Sequence, residues 1–186
     1  MLFFRSFLAH PRQVGAILPT SRRAVNDMLD LTDFTGARCV VEFGAGTGVY
    51  TREILARLRP DARLVAFEVD PDLAAALERE FTDPRLRVVT DSAAEAETYL
   101  DGSRADIIVS GLPFTSLPSG LGRRILERAR EALGPGGVLL VLQYSPMIQG
   151  ELRRMFGAVR WRLSPFNVPP AFLFACRAAD DPQEGR

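Results

Sequence analysis

Residues 40–52 read Val-Val-Glu-Phe-Gly-Ala-Gly-Thr-Gly-Val-Tyr-Thr-Arg, the most informative stretch of the chain. A short apolar run, typical of a buried strand, leads through Glu42 into a turn that contains Gly44, Gly46 and Gly48. A helix is predicted to follow at once. Glycines are needed where the backbone turns sharply and where a ligand approaches it closely. The stretch therefore predicts a strand, a ligand-binding turn and a helix.

The spacing of the glycines distinguishes two kinds of nucleotide site. The dinucleotide fingerprint G-x-G-x-x-G, counted from Gly44, needs its third glycine where Val49 stands. Here the third glycine comes one residue earlier, at Gly48, and Glu42 precedes the first by two residues. By itself such a turn is weak support, because many nucleotide sites use one. The form E-x-G-x-G-x-G nevertheless favours a cofactor that needs no pyrophosphate cradle.

Later segments also read as apolar strands that are followed directly by an acidic residue or by a short motif. Residues 64–70 end near Glu68, about 20 residues beyond the glycine turn, where a carboxylate can accept both ribose hydroxyls of an adenosine. Residues 86–92 form another strand that ends in a carboxylate, and residues 105–114 end in Gly-Leu-Pro-Phe. Residues 133–144 contain helix-end glycines and a long fifth strand. These signals in this order are far more specific than any one of them.

Length and composition restrict the class of protein. The 186 residues suit one domain with a sizeable core. The formal net charge is zero, which argues against a long nucleic-acid track. Cys39 and Cys176 lie in apolar runs, so we expect two reduced thiols in an intracellular protein and no metal site. The apolar runs are too short to span a bilayer, and no secretory signal is expected.

Three regions are expected along the chain: a helical lead-in at 1–35, an α/β domain at 36–178 and a polar tail at 179–186. Alternating strands and helices predict a mainly parallel sheet covered on both faces. The last two strands, 159–163 and 171–176, are joined by a short proline-rich link that suits an antiparallel hairpin. The other strands are predicted near 39–43, 64–69, 86–90, 106–110 and 137–144, and the helices near 48–59, 71–81, 93–100, 119–133 and 147–156.

The lead-in has a strongly apolar face at helical spacing, formed by Phe3, Phe4, Phe7 and Leu8. Two interpretations stay open. The helix either packs on the domain or lies in a membrane interface, with aromatic side chains in the acyl boundary and nearby arginines on anionic headgroups. Further on, Thr20 or Ser21 is expected to cap a helix that runs to about Leu31. Arg22 or Arg23 could contact a lipid phosphate, or simply form a solvated helix face.

The motifs at 40–48, 64–70, 86–92 and 105–114 resemble those of class I S-adenosylmethionine-dependent methyltransferases. This resemblance implies a Rossmann-like α/β fold with a mainly parallel seven-stranded sheet, closed by an antiparallel C-terminal hairpin. It also implies S-adenosyl-L-methionine as the cofactor and S-adenosyl-L-homocysteine as the product.

Segments at 7–21, 111–114 and 166–171 resemble the small bacterial phospholipid N-methyltransferases. Those enzymes convert phosphatidylethanolamine to phosphatidylcholine by successive methylations at the membrane surface. The resemblance implies the same N-methyltransferase reaction, a phospholipid substrate and an anionic membrane surface as partners. It further implies a cytoplasmic protein that is peripherally associated with the inner face of the membrane.

The resemblance also assigns site residues. Glu68 would accept the ribose hydroxyls, Asp91 would meet the adenine amino group, and the substrate nitrogen would lie at 111–114. The residues expected to bind the cofactor are Glu42, Gly44, Ala45, Gly46, Gly48, Glu68, Val69, Asp91, Ser92 and Gly111. The residues expected at the reacting nitrogen are Ser110, Gly111, Phe114 and Tyr144. Phe114, Tyr144 and Tyr50 could form an aromatic wall for a quaternary ammonium, although core packing explains each equally well.

The main alternative is adenine N6-methylation of RNA. Enzymes of that kind carry Asn-Leu-Pro-Tyr where this chain has Gly-Leu-Pro-Phe at 111–114. Gly111 removes the side-chain oxygen that would hold the adenine amine, and the chain has no dense basic stripe. The lipid interpretation is therefore favoured, and no nucleic-acid partner is expected. A small-molecule amine methyltransferase and a non-catalytic cofactor-binding protein are further alternatives.

Overall fold

The strands lie side by side in one sheet. The computed structural model describes residues 20–118 and 120–177. The strands are β1 Cys39–Phe43, β2 Arg63–Phe67, β3 Leu86–Val89, β4 Ala105–Ser110, β5 Leu133–Gln143, β6 Ala158–Ser164 and β7 Ala171–Arg177. The α-helices are α1 Arg22–Leu29, α2 Val49–Leu55, α3 Pro71–Glu80, α4 Leu121–Ala132 and α5 Gln149–Met155. Three 3₁₀ helices cover Ala93–Tyr99, Phe114–Ser116 and Pro146–Ile148.

The seven strands are ordered β3-β2-β1-β4-β5-β7-β6 across the sheet. Pairing is parallel from β3 to β5. Strand β7 runs antiparallel to both of its neighbours, β5 and β6. This confirms the predicted mainly parallel sheet with an antiparallel C-terminal hairpin. Because the carboxyl ends of parallel strands share one edge, the residues that follow β1 to β5 meet there.

Apolar side chains cover both faces of the sheet. On one face, α4, α5 and the 3₁₀ helix at 93–99 enclose a cluster that includes Phe43 and Leu126. On the other face, α1 and α2 enclose a cluster that includes Val40 and Ile54. Strand β1 is buried along its whole length, as expected for a central strand with helices on both sides.

Helix α1 is the described part of the predicted lead-in. Its N-cap is Ser21, whose Oγ accepts a hydrogen bond from the Ala24 N–H at 3.1 Å, which confirms one of the two expected caps. The apolar stretch at 3–8 and the tail at 179–186 lie outside the described residues. None of the helices within 20–118 and 120–177 combines the length and the apolar character that crossing a bilayer requires.

Some elements differ from their predicted form. The helix expected at 93–100 is a 3₁₀ helix, and α2 ends well before residue 59. Strand β5 begins at Leu133, which pairs with Ala105, and regular pairing resumes only where Ile107 meets Val138. The glycine-rich stretch between these two pairs forms an irregularity in the ladder, so sequence pattern alone placed the start of the strand after it.

Candidate active site

The glycine turn after β1 is held by the neighbouring strand β2. The backbone N–H groups of Gly44 and Ala45 both donate to the Phe67 carbonyl, at 2.9 and 3.0 Å. The Gly46 N–H donates to Oε2 of Glu68 at 2.8 Å. The turn and the acid therefore form one unit, which joins expected cofactor residues from two strands.

The turn has a packed side and an open side. Gly44, Gly46 and Gly48 have φ angles of 75°, 54° and 76°, in the left-handed region that disfavours side chains. A Cβ at Gly44 would lie 2.6 Å from Cδ2 of Leu112, so the turn packs against the loop after β4. A Cβ at Gly46 would meet no heavy atom of the described chain within 4 Å. A ligand can therefore approach the backbone at Gly46.

Glu42 is a buried acid beside this turn, with 1% of its surface exposed. Its Oε2 accepts a hydrogen bond from the Thr51 hydroxyl of α2 at 2.8 Å. Its Oε1 is buried and has no hydrogen-bond partner in the parts of the chain that the structure describes. Burial raises the pKa of Glu42 to about 8, despite the Thr51 hydrogen bond, and the nearby Glu68 carboxylate acts in the same direction as burial. A bound cationic group would satisfy this oxygen and favour the charged form.

Two further acids follow β2 and β3. Glu68 is 2% exposed, and its Oε1 accepts from the Asp70 N–H at 3.0 Å, so both of its oxygens hold backbone groups. Asp91 is half-buried and accepts from the Tyr99 hydroxyl and from the Ser92 N–H, both at 2.7 Å. Ser92 in turn caps the 3₁₀ helix at 93–99. The acids at 42, 68 and 91 thus occupy neighbouring strand ends along one edge, while Val69, next to Glu68, is half-buried there.

The loop after β4 is fixed from three sides. Ser110 is fully buried, and its Oγ accepts from the Leu112 N–H at 3.3 Å. The Gly111 N–H donates to the Phe43 carbonyl at 3.1 Å. The Gln143 side chain donates to the Leu112 carbonyl at 2.8 Å. The sequence motifs do not point to Gln143, although a polar residue at the end of an apolar strand is a signal for such a role.

Tyr50 fills the space beside Gly111. A Cβ at Gly111 would lie 2.9 Å from Cε2 of the Tyr50 ring. Tyr50 is 7% exposed, and its buried hydroxyl has no hydrogen-bond partner among the described residues. Burial raises the pKa of this phenol above its ordinary value, so it remains protonated at neutral pH. The sequence offers Tyr50 only as one of three candidate aromatic wall residues, because its contact with Gly111 joins segments that are far apart in the chain.

The other two aromatic residues lie on opposite faces of the sheet. Tyr144 packs on the α1 and α2 face with Tyr50, and its hydroxyl lies 3.0 Å from the Thr20 hydroxyl. Phe114 is 9% exposed and packs in the cluster on the α4 face, beside Gly122. The structure therefore brings Tyr50 and Tyr144 together and places Phe114 apart from them.

Comparison with known proteins identifies the class of this domain. Residues 40–137 match the family model of the methyltransferase domain. An ornithine lipid N-methyltransferase from Singulisphaera acidiphila is 32% identical over 185 residues, which cover 97% of this chain and 96% of that protein. The chain therefore belongs to the methyltransferase domain family and is an S-adenosylmethionine-dependent methyltransferase.

Two other similarities are less extensive. A ribosomal RNA small subunit methyltransferase H from Polynucleobacter necessarius is 34% identical over 77 residues, 41% of this chain and 24% of that protein. The structure of N-methyltransferase NodS from Bradyrhizobium japonicum, in complex with S-adenosyl-L-homocysteine, aligns with a TM-score of 0.69 at 15% identity. The alignment covers 86% of this chain and 87% of NodS. That likeness confirms the Rossmann-like methyltransferase fold.

Replacing Glu68 tests the expected ribose contact. We expect Glu68→Ala to weaken S-adenosylmethionine binding by about 2–3 kcal/mol, because the expected ribose hydrogen bonds and the bond that holds the Gly46 N–H are both lost. Glu68→Gln should lose less, since it keeps one acceptor oxygen. Glu78→Ala removes an exposed carboxylate from α3 and serves as the matched control. Titration calorimetry measures each dissociation constant, and an unchanged value for Glu68→Ala would contradict the assignment.

The buried Glu42 predicts a pH-dependent stability. Its folded pKa of about 8 lies above the ordinary value of 4.5, so the native state binds more protons between these limits and loses stability as pH rises through them. Glu42→Gln removes the charge but can still accept from Thr51. Its stability relative to the wild type should therefore increase with pH, by at most about 1.4 kcal/mol per unit. Urea unfolding at pH 5, 6.5 and 8 without cofactor measures this difference, and a constant difference would be inconsistent with a buried, titrating Glu42.

Proposed function

We propose that this protein transfers methyl groups from S-adenosylmethionine to the amine of a membrane lipid. The proposed substrates are phosphatidylethanolamine and its methylated derivatives, on the way to phosphatidylcholine, at the anionic inner surface of the membrane. The observation that carries this proposal is the contact of Tyr50 with Gly111. Tyr50 occupies the space where a side chain at residue 111 would carry the acceptor that adenine methylation uses. The near full-length similarity to a lipid N-methyltransferase supports the same substrate class.

The residues at the strand ends fit the cofactor. Glu68 would hold the ribose hydroxyls, Asp91 the adenine amino group, and the free oxygen of Glu42 an ammonium group. The open backbone at Gly46 allows close approach. When bound, S-adenosylmethionine supplies an activated methyl group to a nucleophilic nitrogen. Ala45, Val69 and Ser92 belong to the same segments and complete the proposed binding surface.

The chain itself positions the substrate nitrogen. The fixed loop at 110–112 offers backbone carbonyls at a defined place, and such positioning is a large part of catalysis when the donor is already activated. A lipid ammonium resembles lysine, with an ordinary pKa of about 10. A low-dielectric pocket beside Tyr50 and Tyr144 would lower that pKa and favour the nucleophilic amine. A quaternary product has no proton to donate, and aromatic faces can hold it by cation–π attraction.

A second candidate substrate is an ornithine lipid. The relative of that name covers nearly the whole chain, which favours it specifically. Ornithine also presents a primary amine, so the same pocket could accept it. The two candidates differ beyond the amine, because phosphatidylethanolamine carries a phosphate next to its headgroup amine.

A choice of acceptors tests the substrate class. The purified protein is incubated with methyl-labelled S-adenosylmethionine and with phosphatidylethanolamine vesicles, ornithine lipid vesicles, structured RNA or small amines. We expect the label in the lipid extract of the phosphatidylethanolamine sample. Label in ornithine lipid alone would assign the second candidate. Label in RNA alone would establish adenine methylation and refute the lipid proposal.

Removing one hydroxyl separates a substrate role of Tyr50 from packing. Tyr50→Phe keeps the ring against Gly111, and it removes a buried hydroxyl whose burial without a partner costs free energy. We expect equal or slightly higher thermal stability, together with a decrease of about ten-fold in kcat on lipid. Tyr144→Phe, which loses the contact with Thr20, is the matched comparison. Wild-type kcat in Tyr50→Phe would show that Tyr50 serves packing alone.

A further inference from the structure

Four large apolar side chains are exposed around the end of the C-terminal hairpin. The exposed fractions are 45% for Leu163, 56% for Phe166, 71% for Val168 and 79% for Met147. Leu163 lies near the end of β6, Phe166 and Val168 lie in the loop at 165–170, and Met147 lies in the 3₁₀ helix after β5. Phe166 and Val168 lie two residues apart in this loop, on the α1 side, and are called the apolar rim below, whereas Leu163 pairs with Phe172 on the α4 and α5 face. Clustered exposed side chains of this size typically mark an interaction surface.

The apolar rim borders the same edge of the sheet as the candidate active site. Leu163 on β6 and Gln143 on β5 both pair with Phe172 on β7, so β5 and β6 end at the same level. Tyr144 follows Gln143 directly, and the loop at 165–170 follows β6. The loop at 165–170 therefore lies at the same edge of the sheet as Tyr144.

The loop at 165–170 is anchored so that its apolar residues face outward. Asn167 is 3% exposed, and its side chain accepts from the Ser21 N–H at 2.7 Å and donates to the Pro169 carbonyl at 3.1 Å. The Ser21 hydroxyl also donates to the Phe166 carbonyl at 2.9 Å. Because the residue between them is held inward, Phe166 and Val168 are presented together on a fixed loop.

One arginine stacks on the apolar rim, and a second precedes it in α1. The Arg23 guanidinium lies 4.5 Å above the Phe166 ring, and its side chain is 66% exposed although Asp27 is 3.6 Å away. Arg22 is 75% exposed and pairs on one side with Glu53. Aromatic and aliphatic groups flanked by arginines match the chemistry of a bilayer interface, where acyl chains lie beneath anionic phosphates.

The first described residues lie at this place. The hydroxyl of Thr20 contacts Tyr144, and Ser21 is bonded to the loop at 165–170.

We propose that the apolar rim is the surface by which this protein docks on an anionic phospholipid bilayer, with Phe166 and Val168 in the acyl boundary and Arg23 on a headgroup phosphate. The inference rests on the proposed lipid substrate. Docking by the apolar rim would turn the edge of the sheet that carries the candidate active site towards the membrane. A headgroup amine could then reach the pocket while the acyl chains stay in the bilayer. Docking of this kind would bury the exposed apolar side chains of Phe166 and Val168.

Vesicle binding by full-length variants tests the rim. The probe is sedimentation with vesicles of phosphatidylglycerol and phosphatidylethanolamine. The double variant Phe166→Ser/Val168→Ser should bind these vesicles at least ten-fold more weakly, because two apolar side chains no longer enter the bilayer. The melting temperature and the S-adenosylmethionine affinity should stay unchanged. Phe166→Leu/Val168→Ile should retain binding. Arg23→Gln should weaken binding, whereas Arg59→Gln, before β2 at the opposite edge of the sheet, should not.

Activity on monomeric short-chain phosphatidylethanolamine keeps this test separate from that of the proposed function. The serine variant should lose activity on vesicles and retain it on the monomeric lipid. If the serine variant binds vesicles as well as the wild type does, the docking proposal is refuted. Methylation of lipid by the wild type would still support the proposed function. If the rim binds vesicles and no lipid is methylated, the proposed function fails and the docking surface stands.

Two further outcomes would assign the rim to another occupant. A large fall in melting temperature of the serine variant without vesicles would show that residues 1–19 cover the rim. Conversion of a dimer to a monomer in sedimentation velocity would show that a second copy covers it. Either result overturns the membrane assignment.

Discussion

The N–H of Gly46 donates to a carboxylate that has almost no access to water, and the geometry of the candidate site depends on this bond. Glu68 can accept it because β1 and β2 are parallel neighbours in register, so the residue after β2 lies beside the turn after β1. A charge-assisted hydrogen bond at this place holds a left-handed backbone that would otherwise be poorly defined. The open side of the turn therefore has a fixed shape before any ligand approaches.

The same arrangement places two acids at one buried edge, and they are not equivalent. Glu68 accepts two backbone N–H groups, while within the described chain Glu42 accepts from the Thr51 hydroxyl alone. The raised pKa of Glu42 follows from its burial, which the Thr51 hydrogen bond offsets only in part. A ligand that brings a positive charge to Glu42 would remove this cost, so the site is electrostatically suited to a cationic cofactor.

Local pattern was enough to predict the sheet and the acids, because each is a property of one strand and the turn after it. The left-handed glycines, the alternation of elements and the proline-rich hairpin link are all short-range signals. The contact of Tyr50 with Gly111 was beyond such signals, since it joins α2 to the loop after β4 through packing alone. Gln143 also acts across the sheet, on Leu112. The start of β5 is predicted too late in the chain, because its glycine-rich residues pair irregularly and have the composition of a loop.

The hairpin has a consequence that a purely parallel sheet would lack. Strand β6 runs in the same direction as β5, so the short loop to β7 returns at the active-site edge and not behind it. That loop is joined through Asn167 to Ser21, and the adjacent Thr20 contacts Tyr144. Two consecutive residues just before α1 therefore join the loop at 165–170 to Tyr144 at the end of β5. The loop that carries the apolar rim and the end of β5 thus share one anchoring segment, which a hairpin that returned at the other edge could not provide.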